Sequence, residues 1–202
     1  MNQPYVLQGR FVRLEPLTRN HHPGLCEVGL EEELWRWIPI QVVSPEDMMA
    51  YIEAALLQRD KGMETPFATI DQASGRVVGC TRFMNIELKH RRLEIGSTWI
   101  APAWQRTAIN TEAKYLMLSH AFGALNCDRV ELKTDVLNQK SSEAIDRLGA
   151  KQEGIFRHHI VNASGRVRDT IWFSIIGPEW PAVKVELERK LNRRVPVSLP
   201  GC

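Results

Sequence analysis

The sequence has few cysteines, no long apolar run and no apolar leader. Its four cysteines lie far apart, without the Cys-x-x-Cys spacing of metal or redox sites: Cys26, Cys80, Cys127 and Cys202. This spacing favours free thiols in a reducing compartment. No apolar stretch reaches the roughly 18 residues that a membrane span needs, and polar residues interrupt the N-terminal segment, unlike a signal peptide. We therefore predict a cytoplasmic protein that does not enter a membrane.

The sequence is also poor in net charge and in metal-binding patterns. Its 26 basic and 24 acidic residues leave a formal charge of +2, and their scatter along the chain predicts no nucleic-acid partner. The histidine pairs His21-His22 and His158-His159 suggest a metal only at first sight. Neighbouring strand residues point to opposite faces, so the second pair cannot hold one ion, and we predict no metal. The absence of a Gly-x-x-x-x-Gly-Lys-Ser/Thr motif excludes a P-loop nucleotide enzyme.

The length and hydrophobic periodicity predict one α/β domain. At 202 residues, 44% of them hydrophobic, the chain can bury a sizeable core. Alternation, helical spacing and Gly or Pro breaks predict strands near 9–17, 66–70, 76–84, 93–100, 130–136, 155–161 and 166–176, and helices over 20–37, 44–62, from 110, over 138–148 and from 180. This order predicts a mixed sheet flanked by helices. We expect a single domain over residues 1–202, with a core of about 9–178 and a C-terminal helical extension of about 179–195.

The segment Trp99–Lys114, WIAPAWQRTAINTEAK, is the most informative part of the chain. β-branched and aromatic residues before and at its start suit a buried strand, and its end has helical spacing, with Asn110 able to cap the helix. The start of a helix presents unpaired amides and the positive end of the helix dipole, which suits a phosphate. The segment therefore predicts a site for an anionic cofactor. Arg106 and Lys140 are candidates for neutralising phosphates or for solvated surface charge.

Residues Gln105–Asn110 resemble the acyl-CoA signature of the GNAT N-acetyltransferase superfamily, with Ala108 and Asn110 in its two glycine positions. The Trp-Ile-Ala-Pro lead-in and the Asn-Thr-Glu-Ala helix start resemble the ribosomal-protein alanine N-acetyltransferase-like branch. The resemblance extends from about Arg10 to Trp180. It implies a central, mostly antiparallel sheet that splays between its fourth and fifth strands, here about 92–100 and 129–137. The pantetheine of acetyl-CoA would enter between these strands.

The resemblance also implies which residues bind acetyl-CoA. They are Trp99, Ile100, Gln105, Arg106, Thr107, Ala108, Ile109, Asn110, Thr111, Asn138 and Ser141. The pyrophosphate would lie on backbone amides of Arg106–Asn110, where glycine normally permits close approach and unusual φ angles, and where Ala108 adds a methyl group. Asn138 also suits a simple helix cap.

Acyl transfer from a thioester to an amine needs a neutral amine, donors for the oxyanion and a proton or dipole for the thiolate. No cysteine or serine nucleophile with a neighbouring base is visible, which favours direct transfer in a ternary complex. By resemblance, Glu94 takes the proton of the amine through a water; its structural alternative is an ion pair with Arg91 or Arg92. Ile145 stands where many members of the superfamily have a tyrosine acid. The Ser141 hydroxyl is then left to meet the departing sulfur.

Trp35, Arg36 and Trp37 resemble the branch's segment near the acceptor site. They are predicted either to wall an acceptor groove or to anchor the core. The resemblance as a whole implies an acetyl-CoA-dependent N-acetyltransferase whose acceptor is a primary amine, on a protein N-terminus, a small amine or an amino acid. The alternative is a non-catalytic acyl-CoA-binding module with a degenerate site. The sequence leaves open whether the chain forms a homodimer.

Overall fold

The strands of the chain form one mixed sheet. The computed structural model describes residues 5–193, in which the strands are β1 (Leu7–Gln8), β2 (Val12–Pro16), β3 (Thr65–Asp71), β4 (Val77–Glu87), β5 (Arg92–Ile100), β6 (Arg129–Asp135), β7 (Lys151–Val161) and β8 (Val167–Ile176). The α-helices are α1 (His22–Gly29), α2 (Glu32–Trp35), α3 (Pro45–Asp60), α4 (Ile109–Gly123), α5 (Gln139–Asp146) and α6 (Trp180–Asn192). The strand order across the sheet is β1-β2-β3-β4-β5-β6-β8-β7. Only β5 and β6 pair in parallel among these strands, so the predicted mixed, mostly antiparallel sheet is confirmed.

The N-terminal part differs from the prediction of a single strand near 9–17. The chain instead makes a hairpin, in which β1 pairs antiparallel with β2. The buried Glu112 carboxylate of α4 accepts the backbone amides of Arg10, Phe11 and Val12 at 2.6–2.9 Å. These three bonds satisfy amides in the turn, and they involve a helix 100 residues away that local periodicity does not reveal.

The predicted helical region 20–37 is broken into a 3₁₀ turn (Arg19–His21), α1 and α2. Proline opens α1, and Gly29 ends it against the ring of Trp99. A Cβ at residue 29 would lie 2.5 Å from that ring, so only glycine fits without rearrangement. The break therefore follows from close packing of α1 on the sheet.

The sheet is covered on both faces, but unequally. α4 and α6 contribute to a core on one face that includes Leu14, Phe83, Leu93, Met117 and Leu187. α1 and α3 cover the second face near β3 to β5, with a core that includes Leu25, Met48, Ile52, Ala68 and Trp99. On this second face β6 and β8 carry polar side chains. We predicted that only one face of β6 is buried, and this is wrong because Glu131 and Asp135 on the polar face are buried too.

The parallel strands β5 and β6 pair only at their first residues. Arg92, Leu93 and Glu94 pair with Arg129–Glu131, and the remainder of each strand has no register with the other. The two strands therefore diverge toward their C-terminal ends, where α4 follows β5 and α5 follows β6. This divergence is the cleft that the resemblance predicts.

The C-terminal helix is present as α6, which packs Val183 and Leu187 into the same core as α4. The predicted extension to about residue 195 runs past the described residues. Within residues 5–193, no helix combines the length and the apolar character that crossing a bilayer requires.

Candidate active site

The loop that joins β5 to α4 has its one strained residue at Arg106. Arg106 has φ 62°, in the left-handed region that favours glycine. Ala108, in contrast, has φ −72° and ψ −20° and precedes the first residue of α4, Ile109. The Thr107 hydroxyl donates to the Trp104 carbonyl at 2.6 Å and accepts the Ile109 amide at 3.3 Å, which fixes the turn. Alanine therefore suits position 108 without backbone strain.

Gln105 links the two sides of the cleft. Its Nε2 donates to the Ile100 carbonyl at the end of β5, 2.7 Å away, and its Oε1 accepts a hydrogen bond from Lys140 Nζ of α5. Lys140, one of the residues for which a solvated surface charge was an alternative, is thus exposed but in contact with the signature loop. The predicted cofactor residues Ile100 and Gln105 therefore lie together with Lys140, the candidate for neutralising phosphates, at the open end of the cleft.

α5 begins opposite this loop. Asn138 Oδ1 accepts the Ser141 amide at 3.1 Å, so Asn138 caps the helix as the structural alternative predicts. Ser141 is half-buried in the first turn. Ile145 is buried in the apolar core, which means that the position of the family's tyrosine is used here for packing. Asn110 and Thr111 lie in the first turn of α4, and the Asn110 Oδ1 atom is buried without a hydrogen-bond partner among the described residues.

Glu94 is buried at the point where β5 and β6 part. Its Oε2 accepts hydrogen bonds from Lys133 Nζ and Asn85 Nδ2, each at 2.8 Å. Lys133 also lies over the ring of Trp172, 4.7 Å from its centroid. Glu94 is therefore ion-paired, but the predicted partners were wrong, because Arg91 pairs with Asp128, and Arg92 pairs with Glu87 and Glu131.

β5 bulges next to Glu94. Ser97 has φ 47°, and the register with β4 shifts between Cys80 and Arg82. The Ser97 hydroxyl lies 3.4 Å from the hydroxyl of Tyr51, a buried residue of α3. Burial raises the pKa of Tyr51, so the phenol keeps its proton near neutral pH. The bulge, three residues along β5 from Glu94, thus combines a strained backbone position with a protonated phenol.

A cavity of about 730 Å³ lies between α2 and the turn that joins β7 to β8. It is lined by Trp35, Arg36 and Trp37, and by residues of the turn such as Asn162 and Arg166. The predicted groove residues are therefore brought together, with different roles. Trp35 is only 2% exposed and donates its indole N–H to the Gly29 carbonyl at 2.8 Å, so it also anchors the core. Trp37 lies under the guanidinium groups of Arg36 and Arg166, at 5.0 and 5.7 Å.

A buried aspartate, Asp135, forms an ion pair with Arg166, one of the residues that line this cavity. Asp135, at the end of β6, is completely buried, and its Oδ2 accepts from Arg166 and lies 3.9 Å from Arg168 Nε. Its Oδ1 accepts the Leu137 amide at 3.0 Å. Arg168 in turn donates to the Trp37 carbonyl at 3.1 Å, and burial lowers the pKa of Arg168. This cluster connects β6, β8 and the segment after α2.

Sequence reasoning missed several residues of this region. Lys133 and Asp135 alternate with apolar residues and so looked like a solvated face, while nothing local marks Tyr51, Asn85 or Arg168. The prediction that His158 and His159 point to opposite faces assumed a regular strand, and this assumption is wrong. His158 has φ 50° within a register shift of β7, so the regular alternation that we assumed does not hold there.

Trp99 has its ring in the core against Trp35, 5.4 Å between centroids. Its side chain is thus directed away from the cleft, and only its backbone can face a ligand there. Its indole nitrogen is buried and has no hydrogen-bond partner among the described residues.

The geometry agrees with comparisons to known proteins. A family model described as the acetyltransferase (GNAT) domain matches residues 12–151. The YdaF protein of Bacillus subtilis, whose name assigns it provisionally to ribosomal N-acetyltransferases, is 30% identical over 110 residues, 54% of this chain and 59% of that protein. A GCN5-related N-acetyltransferase from Brucella melitensis has 34% identity and a TM-score of 0.86, covering 94% of this chain and 86% of that one. RimJ of Mycobacterium smegmatis, solved with CoA-disulfide, shares the fold at 21% identity, a TM-score of 0.78 and coverage of 93% and 92%.

The chain therefore belongs to the GNAT family and is an N-acetyltransferase. The predicted family is confirmed, and the match to YdaF is a likeness to the predicted ribosomal-protein branch over about half of the chain. The roles of individual site residues stay predictions.

Proposed function

We propose that the chain transfers an acetyl group from acetyl-CoA directly to a primary amine, with both substrates bound together. The observation that carries the proposal is the cleft between β5 and β6. One strand, β5, presents the buried Glu94 where the cleft begins and leads into the signature loop and α4 where the cleft opens. Donor and acceptor can thus meet along a single strand.

The residues present fit acetyl-CoA as the donor. Beyond Glu94, the β6-facing edge of β5 has no strand partner, and its backbone groups can hydrogen-bond to the amides of a pantetheine arm. The amides of Arg106–Asn110 at the start of α4 suit its pyrophosphate, and the negative φ of Ala108 lets alanine replace the usual glycine without backbone strain. Asn138, Ser141 and Thr111 line the facing helix starts. The CoA-disulfide in RimJ, which shares the fold, supports this class of ligand.

The acceptor would enter from the cavity lined by Arg36 and Trp37. Its neutral nitrogen attacks the thioester carbonyl carbon, a C–N bond forms, and the C–S bond breaks. The proton of the amine passes to the Glu94 carboxylate through a water, and the thiolate leaves with a hydrogen bond from Ser141. No covalent acyl-enzyme is required. A protein N-terminus is the favoured acceptor because of the likeness to YdaF, with a small amine as the alternative.

The proposal also includes a single acetyltransferase domain and a cytoplasmic location. The three cysteines within the described residues, Cys26, Cys80 and Cys127, are free thiols, as is usual in a reducing compartment.

The direct test is acetyl-CoA turnover over a panel of peptides and small amines, followed by thiol release and by mass spectrometry of the acceptor. We expect stoichiometric thiol and N-acetyl product with at least one amine. Binding of CoA without turnover of any amine would instead favour the non-catalytic acyl-CoA-binding module.

Substitution of Ala108 tests where the pyrophosphate lies. We expect Ala108→Val to weaken CoA binding about tenfold or more, because a branched side chain crowds the amides at the start of α4, and Ala108→Gly to change it little. Calorimetric titration with CoA checks both variants. Normal binding by Ala108→Val would contradict a close approach of the phosphates to this loop.

Substitution of Ser141 tests the hydrogen bond to the leaving sulfur. One hydrogen bond is worth about 1 kcal/mol, so we expect Ser141→Ala to lower kcat about 5- to 10-fold while KM for acetyl-CoA changes little. Steady-state kinetics measure both constants, and Ser142→Ala in the same turn is the control. A raised KM with kcat intact would assign Ser141 to ground-state binding of the donor.

A further inference from the structure

A buried lysine connects α4 to the strands β4 and β5 on one side of the donor cleft. Lys114, in the second turn of α4, is only 5% exposed. Its Nζ donates to Thr98 Oγ1 at 2.6 Å and to Thr81 Oγ1 at 3.2 Å, and the two hydroxyls lie 2.7 Å apart. Thr81 belongs to β4, and Thr98 belongs to the part of β5 that has separated from β6. This triangle of polar atoms therefore ties α4 to both strands beneath it.

The charged groups around Lys114 are occupied elsewhere. On α4, Glu112 binds backbone amides of the N-terminal hairpin, and burial lowers the pKa of His120, so its ring stays neutral at neutral pH. On the neighbouring strands and on α6, the charged residues contact other groups, namely Arg13 with Glu15, Arg82 with Glu64, Glu94 with Lys133, and Glu188 with Tyr115. Among the described residues, Lys114 has no carboxylate partner. Burial alone lowers the pKa of Lys114 to about 7.

A buried ammonium without a counter-ion costs stability, and side chains that carry such a cost are concentrated at functional sites. We propose that Lys114 is a positioning residue, which aligns α4 with the free half of β5 and takes up a proton when an anionic acyl donor binds at the start of α4. The inference rests on the proposed function, since it takes coenzyme A as the ligand of that cleft. It adds a residue outside the acyl-CoA signature.

The location of Lys114 determines whether donor binding raises or lowers its pKa. At about 1.5 Å per residue, its Cα lies about 7.5 Å along the axis from Ile109, and helical side chains lean toward the N-terminus. A phosphate at that N-terminus then favours the charged form of the lysine. Bound donor raises its pKa, so the contribution to affinity is complete at pH below 7 and is lost as the pH rises through the pKa of the complex.

The experiment measures the Kd of reduced coenzyme A by calorimetry from pH 6.5 to 9 for the wild type, Lys114→Gln and Lys114→Met. Glutamine keeps hydrogen bonding to the threonines but does not titrate. For a pKa rise of one unit, Kd of Lys114→Gln should exceed the wild-type value about 8-fold at pH 6.5 and approach it at pH 9. The wild type should take up about half a proton per CoA near pH 7.5, seen as a dependence on buffer ionisation enthalpy. Lys61→Met, an exposed lysine at the end of α3 on the other face of the sheet, should behave as the wild type.

The outcomes are separable. Lys114→Met should fold well and raise Tm by about 5 °C at pH 6.5, less at pH 9.5, because it removes a buried charge. CoA binding that is normal in the wild type, with a Kd ratio for Lys114→Gln that is flat across pH, overturns the role of Lys114 and leaves the proposed function intact. Absence of CoA binding in the wild type overturns the proposed function and this inference together.

Discussion

Replacing Glu94 by glutamine should lower kcat for acetyl transfer about 10³-fold at pH 6.5, with little change in CoA affinity. The variant keeps the shape of the side chain and a hydrogen-bond acceptor for Lys133 and Asn85, but it cannot take a proton. The defect should shrink as the pH rises toward the pKa of the acceptor amine, because free amine then no longer depends on a base. Rate profiles from pH 6 to 10 measure this trend.

The ion pair with Lys133 makes a second variant necessary. If Glu94 matters only as one partner of the pair, Lys133→Met should cause the same loss, and the double variant should be no worse. If Glu94 is the base, Lys133→Met should keep most of the wild-type kcat, whereas Glu94→Gln should lose it. Glu87→Gln removes a more exposed carboxylate paired with Arg92 and is the matched control. A deficit in Glu94→Gln that is the same at every pH would assign Glu94 to positioning or structure.

Much of the fold could be predicted because local patterns agree with it. The strand before Trp99, the helix after the signature and the hairpin of β7 and β8 all have the spacing and breakers expected of them. The N-terminal hairpin could not be predicted in the same way. Its turn is held by Glu112, whose carboxylate comes from a helix far along the chain. No periodicity within residues 7–16 carries that information.

The candidate site was predictable to a smaller extent, and the reason is the same. The signature loop is a local motif, so Gln105–Asn110 could be assigned from the residues themselves. The partner of Glu94 depends on which strand lies beside β5. That strand is β6, which supplies Lys133, so the arginines close to Glu94 in sequence are not its partners. The alternation in β6 marked Lys133 and Asp135 as solvated, because the sequence does not show that β8 packs its own polar residues against them.

Replacing Asp135 by alanine should destabilise the protein by about 3–5 kcal/mol and also raise KM for the acceptor. The aspartate is completely buried, and its loss leaves the buried guanidinium of Arg168 without its nearest carboxylate. It also frees Arg166 from the position over Trp37, which lines the cavity that we propose admits the acceptor. Chemical unfolding measures the first effect, and acceptor titration at saturating acetyl-CoA measures the second.

Asp128→Ala provides the matched control for this prediction. Asp128 is also paired with an arginine, Arg91, but the side chains of that pair are 60% and 52% exposed, and exposed pairs contribute less than about 1 kcal/mol. If Asp135→Ala does not fold, Arg166→Met isolates the effect on the cavity, because it removes one of the two cations over Trp37 while Arg168 still faces Asp135. Equal losses of stability in the two aspartate variants would show that the Asp135 cluster is not a buried ionic network. An unchanged acceptor KM in Arg166→Met would separate the cluster from acceptor binding, and the charge beneath the cavity would then serve only to join β6 to β8.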